Sequence, residues 1–182
     1  SVVQTAMMVM DAGNEVQKEE ILPGIAEGNL LATLALTEPN GRWDAGGVEA
    51  NAKVDRDHFL LNGTKLFVLN AHVSDLLIVA ARTGEAEEDI TLFIVQSSAQ
   101  GLSHTSLKTI SSDRQYEVVF DSVRVPNHAV LGDVNGGWKT IEKGLAWCAI
   151  AKCAEMLGGA QAVLDMTVEY AKQRVQFGQP IG

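Results

Sequence analysis

His58-Phe59-Leu60-Leu61-Asn62-Gly63-Thr64-Lys65-Leu66-Phe67-Val68-Leu69 is the stretch whose reading decides the fold. Its arms, His58–Asn62 and Lys65–Leu69, read as strands. Asn62-Gly63 between them is a tight-turn signal, because positive φ is cheap at those two residue types. Upstream, Asp55-Arg56-Asp57 reads as a short turn leading back to a strand over Glu49–Val54. Leu30–Thr37 is an apolar run with little alternation, as expected of a strand buried on both faces. Downstream, Leu76–Arg82, Ile90–Gln96 and Tyr116–Val125 are further β-rich runs, the first two joined by the acidic hairpin loop Thr83–Asp89. Six or more strands with turns every 8–12 residues predict a β-barrel or sandwich.

Helical patterns flank this region. Val2, Ala6, Met7 and Met10 form an apolar stripe that ends at Gly13, and Glu15–Leu22 reads as a short helix broken by Pro23-Gly24. From Gly136 to Val175 the pattern is one long helix of about 35 residues, roughly 50 Å. Ile150, Ala154, Leu157, Gln161, Leu164, Val168, Ala171 and Val175 form its packing stripe, widened by Met156, Val163 and Tyr170. Such flanks exceed what one small β domain can cover, so other helices or a second subunit are expected. The fold class is therefore α+β and multi-domain. The expected parts are the end of an N-terminal helical domain (1–28), a middle β domain (29–134) and the first helix of an incomplete helical domain (135–182).

The chain has 182 residues, with 14 Lys plus Arg against 23 Asp plus Glu, a net charge of −9. That balance argues against a nucleic-acid surface or an anionic membrane as the main partner. No apolar stretch approaches the ~18–20 residues of a membrane-spanning helix, and no basic region leads into an apolar one as in a signal peptide. Cys148 and Cys153 lie on different helix faces and fit neither a disulfide framework nor a zinc site. His58, His72, His104 and His128 show no metal-ligand spacing. A cytoplasmic location is expected, or the mitochondrial matrix in a eukaryote. With Ser1 in place of Met and an end at Gly182 directly after a helical pattern, both ends read as cut.

Five segments in register then resemble one family. They are Leu36-Thr37-Glu38-Pro39-Asn40-Gly41-Arg42-Trp43-Asp44, Leu61 through Asn70, Val119-Phe120-Asp121-Ser122-Val123-Arg124-Val125-Pro126, Gly132-Asp133 through Trp138, and Arg174-Val175-Gln176-Phe177-Gly178-Gln179-Pro180-Ile181-Gly182. Their order and spacing resemble the acyl-CoA dehydrogenases. The resemblance implies α,β-dehydrogenation of an acyl-CoA thioester with hydride transfer to FAD. It also implies electron-transfer flavoprotein as acceptor and a homodimer or homotetramer. By resemblance, Leu36 and Thr37 contact the flavin pyrimidine edge, Phe67 packs against the flavin, and Leu69 stands near its N5. Arg174, Gln176, Phe177 and Gly178 reach the FAD of a neighbouring subunit, and Trp43 lies against the substrate. An always-charged planar guanidinium suits a pyrophosphate.

The departures are equally specific. Trp43 stands where the family has Ser, so the pocket is reshaped, the loop is repositioned, or the indole covers a surface patch. Leu69 replaces a hydroxyl residue and cannot hydrogen-bond the flavin, and Phe67 and Leu69 also read as plain hairpin core. Glu38-Pro39 and Asp44 read as turn chemistry. Some members carry the catalytic carboxylate in a Glu-Arg pair on the long helix. Here those positions are Cys148 and Ala149, so no catalytic residue is assigned and the chain alone is expected to be inactive. Two alternatives stay open: a flavin-dependent oxidoreductase or monooxygenase of this fold that does not use acyl-CoA, and a non-catalytic dimerisation module.

Overall fold

The computed structural model describes residues 2–111 and 113–182. They divide into two units, the first ending at Leu145 and the second covering Ala146–Gly182.

The first unit opens with helices α1 (Val2–Ala12) and α2 (Glu15–Glu27). The face of α1 that turns inward carries Thr5, Met8 and Val9, while Val2 and Met10 of the expected stripe are half exposed. Helix α2 is not broken at Pro23 and runs on to Glu27. The reason is local. Asn14 and Gln17 form a reciprocal cap at its start, and Gly28 closes its end in the left-handed conformation. Pro23 costs one hydrogen bond, and both it and Glu19, whose carbonyl loses the donor, lie on the exposed side of α2.

Eight strands follow: β1 (Ala32–Ala35), β2 (Asn51–Asp55), β3 (His58–Leu69), β4 (Leu76–Arg82), β5 (Ile90–Gln96), β6 (Leu102–Leu107), β7 (Gln115–Pro126) and β8 (Val130–Leu131). They form one sheet in the order β6-β7-β3-β2-β4-β5-β8, with β1 parallel to β4. Each residue of β1 is buried, as a strand covered on both faces requires. Alternation along β4 and β5 splits the core in two. Leu77, Val79, Phe93 and Val95 join Phe59, Val118 and Phe120 on one side of the sheet. Ile78, Ala80, Ile90 and Leu92 pack on the other against Met8, Ile21, Ile25 and Ile141. Phe59 of β3 and Phe93 of β5 meet edge to face at 5.0 Å although two strands separate them in the sheet order, so the sheet curls around the first core.

Asn62-Gly63 is not a turn. It lies inside the 12-residue β3, which pairs with β7 from His58↔Pro126 to Leu69↔Gln115. The register slips between Leu61 and Gly63, and Gly63 takes φ +147°. A bulge needs the same permissive backbone as a tight turn. The extra residue lies on β7, at Asp121-Ser122, where Ser122 takes φ +54°; opposite it, Gly63 lets β3 pass Ala50, whose Cβ lies 2.5 Å from where a Gly63 Cβ would stand. The Asn62 side chain accepts from Ser122 N at 2.8 Å and pins the bulge to β3. Strand β6, unexpected from the sequence, is mostly exposed and carries Ser103, His104, Thr105 and Ser106 at the sheet edge.

Glu38 and Lys65, expected as turn and strand residues, instead form a buried ion pair with Nζ–Oε1 at 2.5 Å. Lys65 is 0% and Glu38 3% exposed. Glu38 also accepts from Glu49 N at 2.9 Å and from Ala50 N at 3.0 and 3.1 Å. Lys65 Nζ donates to Leu36 O at 3.2 Å. Burial pushes the Lys65 ammonium down to about 8, with the Glu38 charge opposing the shift.

Helix α3 (Gly137–Gln173) begins in the first unit, where Gly137, Thr140, Ile141 and Gly144 are buried. In the second unit its stripe lies open. Ile150, Leu157, Leu164 and Val168 are all exposed, at 62%, 73%, 56% and 43%. Strands β9 (Val175–Gln176) and β10 (Gln179–Pro180) then form a two-stranded hairpin.

Two outcomes follow from this packing. Gly63→Ala adds a Cβ against Ala50 in a backbone region L-residues avoid, and lowers unfolding free energy by about 2–4 kcal/mol in a urea titration. Lys65→Met leaves the Glu38 carboxylate buried without its cation and costs about 3–5 kcal/mol. The double variant Glu38→Gln/Lys65→Met loses less than the two single variants summed, as a double-mutant cycle reads directly.

Candidate functional site

The chain leaves β1 at Ala35 and runs through Leu36 and Thr37 into the Glu38-Pro39 corner. Leu66 N donates to Thr37 O at 2.7 Å, and Lys65 Nζ holds Leu36 O. These bonds draw the end of β1 against β3 beside Phe67 and Leu69. A second bulge, this one on β3 between Lys65 and Val68, sets this arrangement. It frees Leu66 N for Thr37 and turns Phe67 outward at φ +57° with 53% exposure. Phe67 is thus presented at the surface, not packed as hairpin core. Leu69 is half-buried and paired with Gln115.

Leu36 and Thr37 also line a crevice with Arg42, Trp43, Val48 and Trp138. Trp43 is 72% exposed at its mouth. Trp138 donates its indole N–H to Glu142 at 3.1 Å. The Thr37 hydroxyl has no hydrogen-bond partner among the described residues. The loop carrying Trp43 is tightly built. Asp44 Oδ1 accepts from Gly47 N at 3.0 Å and caps the 3-10 turn Ala45–Gly47. Asn40 Nδ2 donates to Gly47 O at 2.9 Å. The Arg42 guanidinium, hydrogen-bonded to Asp44, holds its carboxyl below the usual carboxylate range.

The remaining expected residues lie in the second unit. Arg174 is just past α3, with its N–H donating to Tyr170 O at 2.8 Å. Its guanidinium forms no ion pair among the described residues. Gln176 pairs with Gln179 across the hairpin. Phe177 and Gly178 are the two central residues of its turn, at φ +51° and +83°. Gly178 therefore serves a tight hairpin and does not terminate the helix. Phe177 stands fully exposed at the tip. Cys148 and Ala149, at the positions where the resemblance implies a Glu-Arg pair, offer no carboxylate. No group of three or more potential metal ligands occurs among the described residues. No helix among them is long and apolar enough to cross a membrane.

Three residues of this region escaped the sequence reading. Lys65 carries the pair that holds the β1 exit, Trp138 walls the crevice, and Arg82 braces the Trp43 loop. Lys65 and Trp138 lay inside recognisable segments, but only the fold reveals their partners.

Residues 33–123 match the family model described as acyl-CoA dehydrogenase, middle domain, and residues 135–182 match the one described as acyl-CoA dehydrogenase, C-terminal domain. Over 175 residues the chain is 37% identical to a 3-(aryl)acrylate reductase of Clostridium sporogenes and 38% identical to a short-chain specific acyl-CoA dehydrogenase of Megasphaera elsdenii. Each match takes in 93% of this chain and 46% of the relative, so the chain spans about half the length of these curated relatives. The structure of butyryl-CoA dehydrogenase from Megasphaera elsdenii superposes with a TM-score of 0.90 at 35% identity, over 98% of this chain and 48% of that one. A glutaryl-CoA dehydrogenase from Mycobacterium smegmatis in complex with FADH2 gives 0.85 at 27% identity, over 97% and 46%. By its two domain matches, its identities and its fold, this chain belongs to the acyl-CoA dehydrogenase family.

Proposed function

We propose that this chain forms part of an FAD-dependent acyl-CoA dehydrogenase that removes hydrogens from the α and β carbons of an acyl-CoA thioester. The observation that carries the reading is the junction of β1 with β3. The Thr37–Leu66 hydrogen bond and the Glu38–Lys65 pair bring Leu36 and Thr37 beside an outward-turned Phe67. The donor set fits a flavin nucleotide. An unpartnered Thr37 hydroxyl suits a pyrimidine edge that needs donors, and exposed Phe67 offers an aromatic face. For the FAD of a neighbouring subunit, the Arg174 fork, with no ion pair among the described residues, suits the pyrophosphate, and Phe177 at its hairpin tip suits the adenine. Bound FAD would supply the hydride acceptor.

The chain's own residues then have separate tasks. Thr37 orients, Phe67 and Leu69 exclude water, and Trp43 walls the substrate side of the crevice. Leu69 offers only methyl groups where a hydroxyl would donate, so this protein forgoes that hydrogen bond. With Cys148 and Ala149 on α3, the proton-abstracting carboxylate is supplied from outside these 182 residues. The open stripe from Ile150 to Val168 supports further helices or a second subunit covering α3, in a homodimer or homotetramer. Electron-transfer flavoprotein is the expected electron acceptor. The cell compartment would be the cytoplasm, or the mitochondrial matrix in a eukaryote.

Purified full length, the protein should be yellow, and anaerobic butyryl-CoA should bleach its flavin band; a colourless preparation rejects the reading. Arg174→Ala should weaken FAD retention by about 10–100-fold, the worth of charge-assisted hydrogen bonds. Unchanged flavin content after gel filtration would remove Arg174 from the cofactor site.

A further inference from the structure

Arg82 ends β4 and is half-buried. Its guanidinium makes four hydrogen bonds, all to main-chain carbonyls. Nε donates to Val48 O at 3.0 Å and Nη2 to Ala45 O at 2.9 Å. Nη1 donates to Ala86 O at 2.6 Å and Glu87 O at 3.1 Å. Its own N–H donates to Ala50 O at 2.7 Å. Among the described residues it forms no ion pair with a carboxylate, because Glu87 is turned to Arg42 at 3.3 Å. Two arginines therefore fasten one loop to one hairpin. Arg82 does so through main-chain acceptors, and Arg42 through a charge pair.

The fastened loop is the one that carries Trp43 and walls the crevice at Leu36 and Thr37. Its far end, Glu49 N and Ala50 N, covers the buried Glu38 carboxylate. All four acceptors lie in the two connections; Ala45 and Val48 also pack into the core beside α1 and α2, whereas the stretch before them that carries Trp43 has no such anchor. A guanidinium has donors in a fixed planar fork and can hold two segments at a set separation. A lysine ammonium at the same place is a point charge on a flexible stem.

We infer that Arg82 is a positioning residue: it fixes the Ala45–Val48 segment, and through it Trp43, at the mouth of the Leu36–Thr37 crevice, on the side along which the acyl-CoA would lie. That substrate lies against Trp43 rests on the dehydrogenase reading, whereas the clamp itself does not. A wall that touches bound substrate alike before and during reaction acts on KM more than on kcat.

Two measurements test this with Arg82→Lys. In the full-length protein, trypsin should cut the Arg42–Trp43 bond at least about fivefold faster than in the wild type, as local opening loses about one hydrogen bond's worth of restraint. In the full-length enzyme, KM for butyryl-CoA should rise about tenfold, the equivalent of one to two lost hydrogen bonds, with kcat within about threefold. Unchanged cleavage overturns the clamp, and unchanged KM overturns the positioning role. If Arg82→Lys does not fold by circular dichroism, Arg82→Met keeps the packing of the stem and removes all four side-chain donors. Cleavage at Arg42 must then rise, and a rate equal to wild type overturns the inference. A wild-type enzyme that oxidises no acyl-CoA instead rejects the dehydrogenase reading, and the cleavage rates alone decide the clamp.

Discussion

One carboxylate and one ammonium, both sealed from water, hold the business end of the β domain together. Glu38 could not sit at 3% exposure without donors, and it has three: Lys65 Nζ, Glu49 N and Ala50 N. Lys65 could not sit at 0% without acceptors, and it has Glu38 and Leu36 O. Burying either charge alone is costly, so each fixes the position of the other. A pair of this kind is weak evidence for net stability but strong evidence for a defined geometry. Three chain segments meet at it: the exit of β1, the middle of β3 and the start of β2. That is why Leu36, Thr37 and Phe67 share one neighbourhood.

The two bulges of the β3–β7 ladder, the first on β7 and the second on β3, divide the work between packing and presentation. At the first, the extra β7 residue faces Asn62 and the bare backbone of Gly63 avoids a collision with Ala50, so the ladder resumes on either side. Near Phe67 the extra β3 residue does the reverse. It breaks the ladder to hand Leu66 N to Thr37 and turns an aromatic ring out of the core. The first bulge serves the fold and the second spends regular pairing on the site.

Elements whose side chains repeat with a clear period were legible in the sequence. The long α3 stripe, the β4–β5 hairpin and the fully buried β1 all take the expected form. The rest was not legible for separate physical reasons. Asn-Gly permits a bulge as readily as a turn, and only the pairing partner β7 decides between them. Pro23 reads as a break, yet the caps at both ends of α2 outweigh the one bond it loses. Strand β6 has no buried face to impose alternation. Lys65 looks like any polar strand residue until Glu38, 27 positions earlier, is placed beside it. Of the site, Thr37, Leu36 and Trp43 were found through motif likeness and do share a crevice. Arg82 was missed because a residue bonded only to carbonyls leaves no partner visible in a sequence.

The topology of the β3–β7 ladder also sets an order in time. Strands β4 and β5 are joined by a short connection and can pair early, because little chain entropy is lost in closing it. Strands β3 and β7 are separated in sequence by β4, β5 and β6, so their registry requires a long loop to close first. Lys65 lies on that ladder opposite Val118. Closing that loop is thus one precondition for sealing the Lys65 ammonium from water.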